Sequence, residues 1–368
     1  MKKVIFLSLL TAFGILLFVG CQSAEMTSAK VYINQKDYPQ ALVHLKNEIK
    51  NNPTNAEAYF LAGQLYGEMD SLEQMVKMFD KAEQLDTTYI SEITKWRRSK
   101  SGEALNKGLK LWKKKKDLEG SIKWTLTSLE IDSTNVSAWK DLGFLYQQKM
   151  KKFDEEGNKD SLNYYTNLRI KTYKKAYSLD KTDEDLIAIL AGLYTLENKP
   201  DSALAILEPS LKTSKNSRIY SAAADAYDAL DKKKEALQML TKMEELDPEN
   251  PAVLFDIGVR YYSMEDYDKA AEYFSKTLEV KPDDINAMNN KGLALFNAGK
   301  LDESAKVLWE VVKRNPKDPT YWDQIGIVWA KLGKGKDAKK AMEIKDALKS
   351  GDTEKANKLA KKFGVEIK

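Results

Sequence analysis

The chain has one cysteine and one histidine in 368 residues, and each scarcity removes a class of chemistry. A single cysteine closes no internal disulfide and supplies no multi-cysteine metal site. A lone histidine, His44, leaves no convergent imidazoles for a metal, and a Ser-His-Asp site would need this one base beside a nucleophile. It falls on a predicted second helix, reads as exposed and is given no role. No Gly-x-Ser-x-Gly, phosphate-loop or Gly-x-Gly-x-x-Gly string occurs. The run Gly333-Lys334-Gly335-Lys336 lacks the earlier glycine and the Ser/Thr of a phosphate loop and reads as a turn. An excess of one charge is missing as well, with 59 basic against 55 acidic side chains. That balance argues against general nucleic-acid binding, and dense mixed charge suits solvated helix faces. No catalytic residue, metal site, cofactor or small-molecule substrate is expected.

What the chain does have begins at the N-terminus. Met1-Lys2-Lys3 is followed by an apolar run from Val4 to Val19 and then by Gly20-Cys21. A basic start, an apolar stretch and a small residue form the layout of a secretory signal peptide. The residues Phe18-Val19-Gly20-Cys21 resemble a bacterial lipoprotein lipobox, with Phe18 where that family usually has Leu. The resemblance implies cleavage before Cys21, diacylation of its thiol and acylation of the new amino group, after which no free thiol remains. Two other readings stay open. One is an uncleaved membrane helix, for which 16 residues is short of the ~20 needed. The other is an ordinary signal peptide with a chance cysteine. All three place the remaining chain outside the cytoplasm. Removal of residues 1–20 takes away Lys2 and Lys3 and no acid, leaving 57 basic against 55 acidic groups, a net charge of +2. Gln22 is not the Asp that signals inner-membrane retention in some diderm bacteria, so the expected location is the outer membrane, facing the periplasm.

The rest of the chain repeats with a period of 34 residues. Gly258, Gly292 and Gly326 keep this step, as do Ala236, Ala270, Ser304 and Ala338, and Pro248, Pro282 and Pro316. The unit at residues 251–284 carries Leu254, Ile257, Gly258 and Tyr261, then Ala270, Phe274, Thr277 and Pro282. It resembles the tetratricopeptide repeat (TPR) family at those positions. Leu254, Ile257 and Tyr261 share one apolar helical face. Gly258 and Ala270 read as the small residues at the crossing of the two helices, and Pro282 ends the second helix because it lacks an N–H and clashes with the turn before it.

Fidelity declines toward the N-terminus. Units are read at 217–250, at 184–217, from about Val136, weakly at 102–135, at 56–89, and first around Tyr32, Ala41, Leu45 and Pro53. The expected architecture is an all-α, right-handed superhelical solenoid of about nine TPR helix pairs. Its domains are a signal peptide at 1–20, a lipidated tether at 21–30 merging into the first repeat, an array over 31–350 and a capping helix with tail at 351–368. An insertion of about 14 residues near 148–161 reads as a loop or extended helix end.

The family resemblance implies a binding platform whose groove-facing side chains are the second, fifth, ninth, twelfth and thirteenth of each unit. The candidates are Phe255, Tyr262, Asn286, Asn289, Phe296, Asn297 and Asp323, with rings taking side chains and amides pairing an extended backbone. The competing reading has the rings filling gaps between helices. A second candidate is the basic stretch from Lys95 to Lys116, with Arg97, Arg98, Lys113, Lys114, Lys115 and Lys116, set against anionic headgroups or an acidic partner. A solvated face with buried tryptophans is the alternative there.

The function expected is a lipid-anchored, non-catalytic scaffold binding envelope proteins or extended peptides. An assembly or quality-control factor for outer-membrane or secreted polypeptides, and a peptidoglycan-associated protein, remain open.

Overall fold

The computed structural model describes residues 22–367. The expected signal segment at 1–20 and the expected lipidation at Cys21 lie outside the described residues. Among those described, every regular element is helical, and no helix is long and apolar enough to cross a membrane.

Two compact units divide after Asp180. The first holds four helix pairs: α1 (Ala24–Asn34) with α2 (Tyr38–Asn51), α3 (Ala56–Glu68) with α4 (Leu72–Leu85), α5 (Ile90–Lys110) with α6 (Leu118–Ile131), and α7 (Val136–Glu155) with α8 (Lys159–Leu179). The second holds five: α9 (Glu184–Leu196) with α10 (Pro200–Leu211), α11 (Ser217–Ala229) with α12 (Lys233–Leu246), α13 (Pro251–Ser263) with α14 (Tyr267–Val280), α15 (Ile285–Asn297) with α16 (Leu301–Arg314), and α17 (Pro319–Lys331) with α18 (Gly335–Lys349). A single helix, α19 (Thr353–Ala360), follows. The nine pairs that the 34-residue period predicts are present.

Short polar residues set the helix starts. Asn55, Asn135, Asp183, Asn250, Asp284 and Asp318 each stand just before a first helix and accept a backbone N–H from its first turn. They satisfy donors that the helix cannot pair internally. The turns within pairs use one left-handed residue. After α13, Glu265 has φ 63° and donates its N–H to the Tyr262 carbonyl, while Asp266 donates to Tyr261, each at 3.0 Å. This is a Schellman closure, and Asp266 then caps α14. Gly299 and Gly333 hold the same place in the next two units, where the left-handed conformation carries no Cβ penalty.

Cores form between the helices of a pair and their neighbours. A Cβ added to Gly258 would lie 2.8 Å from the ring of Phe274, which is fully buried. The three atoms nearest that position all belong to Phe274, so the close approach is to this ring and not to Ala270. The same glycine-to-large-residue contact joins Gly63 to Phe79 and Gly292 to Leu308, in each case sixteen positions on. Gly143 instead meets Tyr173, thirty positions on. The difference of fourteen is the insertion, taken up by lengthening α7 and α8 to 20 and 21 residues, not by a long loop.

Other differences from the sequence reading are local. Helix α1 starts at Ala24 with Ser23 as its cap, and Met26 and Ala29 are buried, so residues 24–30 belong to the first pair and not to a tether. The first helix of the weak third unit begins at Ile90, well before residue 102. His44 is half-buried, bonded to Glu25 at 2.6 Å and stacked on Tyr32. The C-terminal cap extends beyond α19. Phe363 stacks on Trp329 with ring centroids 5.3 Å apart, and Val365 and Ile367 are buried.

Candidate partner-binding site

In the second unit the first helices α13, α15 and α17 carry the candidate residues at matching heights. Phe255 is half-buried and its ring lies 5.5 Å from that of Phe274. Tyr262 packs edge-on against Tyr267, and its hydroxyl oxygen accepts a 2.6 Å hydrogen bond from the Asn297 side chain of the next unit. Phe296 is half-buried beneath Lys331, whose ammonium stands 5.0 Å from the ring centre. The three rings are therefore partly committed to packing, and none is the freely exposed anchor that the sequence suggested. Each still presents part of its surface.

The polar candidates divide. Asn286 and Asn297 are exposed, whereas Asn289 is half-buried, and its buried Oδ1 has no hydrogen-bond donor. That oxygen is closed to solvent, so the exposed Asn286 and Asn297 are the amides a partner can reach. Asp323 is bonded to Lys345 at 3.2 Å. Phe255 and Asn286 come together with Ala252, Asp256 and Asp284 around one open pocket of about 280 Å³. The ninth positions supply bare apolar surface, with Val259 41% and Ile327 42% exposed.

The structure adds charges that the sequence reading passed over. Asp228 on α11 pairs with Arg260 on α13. Asp225 and Asp256 are open to solvent on one side, yet the protein mass around them pushes both carboxyls above the ordinary range. Asp228 adds to the rise at Asp225, and Arg260 opposes it at both. Carrying the ninth-position rule one unit back, to Asp225, was the signal that could have found this.

The basic stretch does not form one surface. Arg97 is largely buried, bonded to Asp80 at 2.6 Å and to the Ile131 carbonyl at 3.2 Å, so it joins α5 to α4 and α6. Lys95, Lys100 and Lys107 pair with Glu92, Glu103 and Asp70. Arg98 and Lys113–Lys116 are exposed.

Among the described residues no group of three His, Cys, Asp or Glu side chains is placed to hold a metal ion.

Residues 56–89 and 217–250 match one family model, and residues 255–319 match another, each described as a tetratricopeptide repeat. No match was found among curated protein sequences. Similar solved structures include a MamA structure labelled AMB-1, 19% identical over 45% of this chain and 98% of that one, with a TM-score of 0.40. Another MamA structure is 25% identical over 44% of this chain and 95% of its own, at 0.39. PilF of Pseudomonas aeruginosa is 16% identical over 60% of this chain and 94% of its own, at 0.45. Tetratricopeptide repeats are thus present in both units, at 56–89 in the first and at 217–250 and 255–319 in the second.

Proposed function

We propose that this protein is a non-catalytic scaffold, lipid-anchored through Cys21 at the bacterial cell envelope, that holds partner proteins on the first-helix face of its second unit. The repeats support a protein-interaction role. The observation that carries the site is the convergence of Phe255 and Asn286 on one pocket, with Tyr262 and Phe296 further along the same helices α13 and α15. Half-buried rings held by packing lose little freedom on binding, and an extended peptide offers backbone partners to the exposed Asn286 and Asn297 amides. Affinity at such a face rests on a few anchors, not on area.

The experiment is a pulldown and a thermal melt on the same Tyr262→Ala/Phe296→Ala variant. Single anchors of this kind cost about 2 kcal/mol or more, roughly thirtyfold in affinity. Loss of defined partners with a nearly unchanged melt supports the reading. A large drop in melting temperature, with partners lost only as the fold fails, makes the rings packing residues. Recovery of a broad set of unfolded polypeptides in place of defined partners would point to the assembly or quality-control role. The anchor is tested separately: labelled fatty acid should enter the wild-type protein and not Cys21→Ser.

A further inference from the structure

The basic stretch of the first unit splits into two parts that behave differently. From Lys95 to Lys107 four of the five cations meet acids, as the pairs to Glu92, Asp80, Glu103 and Asp70 record, and Arg98 is exposed. Beyond it the chain enters a π-helical turn over Leu111–Lys115 and leaves through Lys116, whose φ of 53° is left-handed. A π-turn is a rare distortion that often marks a functional site, and here it fans four consecutive lysines outward. All four are exposed. No ion pair reaches Lys114, Lys115 or Lys116 among the described residues, while Lys113 shares the field of Asp141. The nearest acid in sequence, Asp117, spends its carboxylate capping α6.

Apolar surface adjoins this charge. Trp112 lies edge-on against Phe144 with centroids 6.0 Å apart, Phe144 is 39% exposed, and the Lys116 ammonium stands 5.2 Å over the indole. On one side rises the lengthened α7–α8 hairpin. It is fastened to α6 by the Lys149–Glu119 ion pair, and the Lys149 ammonium lies within 6 Å of the rings of Phe153 and Tyr165. Helix α7 runs twelve residues past Gly143, whereas α5 and its turn run seven past Gly108. The five extra residues of α7, at 1.5 Å each, carry the hairpin about 7.5 Å of helix further than the lysine turn.

We infer that this notch, between the lysine turn and the hairpin, docks an acidic, extended segment of a partner polypeptide, with an apolar side chain against Trp112 and Phe144. Charge complementarity selects the partner. The hairpin step selects a narrow chain over a flat bilayer, which would rest on the hairpin first. Lysines are compact, mobile charges that suit a run of carboxylates in no fixed order, where arginine forks would select one geometry. The inference is independent of the second unit's face, and the Tyr262→Ala/Phe296→Ala variant should keep this binding.

The test uses fluorescence anisotropy with the full mature chain and a labelled twelve-residue peptide of glutamates with one central leucine. A glutamine version of the peptide is the reference. At about 50 mM salt the glutamate peptide should bind at least about tenfold more tightly, and the preference should shrink as salt rises. K113Q/K114Q/K115Q/K116Q should abolish the preference with an unchanged melt. K95Q/K100Q/K107Q removes three lysines that are already paired and should keep it. Equal loss in both variants would reduce the effect to net charge and overturn the proposal, as would no loss in either. Tighter binding to phosphatidylglycerol vesicles than to the peptide, with the same lysine dependence, would assign the turn to a membrane and overturn it too.

Discussion

Glycine at the eighth position of a unit is there for a contact that can be named. At Gly258 an added methyl would sit 2.8 Å from the Phe274 ring, inside van der Waals contact, and that ring has nowhere to move. Gly258→Ala should cost about 1–3 kcal/mol by overpacking. Gly192 has nothing within 4 Å of the same position, so Gly192→Ala should be neutral or slightly stabilising. Urea melts of the two variants check the pair. Combining Gly258→Ala with Phe274→Leu should recover part of the loss, since the two side chains compete for one space. The glycine itself was legible from its 34-residue step. Its partner was not, because a repeat spacing identifies which positions are small and leaves open which large residue fills the gap.

A second prediction at this scale concerns charge. The Asp225 carboxyl is held above its ordinary value by the protein around it and by Asp228. The folded state therefore binds this proton more tightly than the unfolded state, and stability falls as pH rises through the folded value. Above that value the penalty is present in full, and below the ordinary carboxylate range it vanishes. Asp225→Asn should raise the melting temperature at pH 7 and lose its advantage near pH 4. The gain should stay under about 1 kcal/mol, because the group is open to solvent and screened. A variant less stable than wild type at pH 7 would show that Asp225 is engaged in a favourable contact.

At the scale of elements, the helix pairs were readable because periodicity, caps and prolines agree. Pro282 follows the end of α14 at Val280 and Pro316 follows the end of α16 at Arg314, as their missing N–H requires. The insertion read near 148–161, undecided in form, falls where α7 gives way to α8. Its charged, glycine-poor residues suit a helix end as well as a loop, and the 20 and 21 residues of α7 and α8 show that both helices simply continue. The lysine stretch was left open between a binding surface and a solvated face for a different reason. Its counter-ions Asp70, Asp80 and Glu83 lie on α4 and the turn before it, and local charge counting does not see across helices.

Glu265 occupies a left-handed position that the next two units fill with Gly299 and Gly333. A left-handed non-glycine residue costs roughly 1–2 kcal/mol, part of which glycine returns through its freer unfolded chain. Glu265→Gly should therefore stabilise the protein by about 0.5–1 kcal/mol in equilibrium urea unfolding. Destabilisation would mean that the Glu265 side chain makes a contact worth more than the strain.

For the whole molecule, the division after Asp180 separates two surfaces of different character. The first unit offers an unpaired lysine turn beside Trp112 and Phe144. The second offers rings, amides and carboxylates along α11, α13, α15 and α17. The all-helical repeat was legible from the sequence because stacked pairs must bury one apolar face each. The state of the site was less so. Whether Phe255, Tyr262 and Phe296 are free or packed depends on neighbours such as Phe274, Tyr267 and Lys331, which the spacing does not rank.

The central claim, that partners are held on the first-helix face of the second unit, is tested most directly by site-specific photocrosslinking in cells. A photoreactive residue would replace Val259, Leu293 or Ile327 on α13, α15 and α17, and Glu272 or Lys306 on the second helices α14 and α16. The account predicts partner adducts at the first three positions and none at the last two. Adducts confined to Glu272 and Lys306 would place the partner on the opposite face and contradict it.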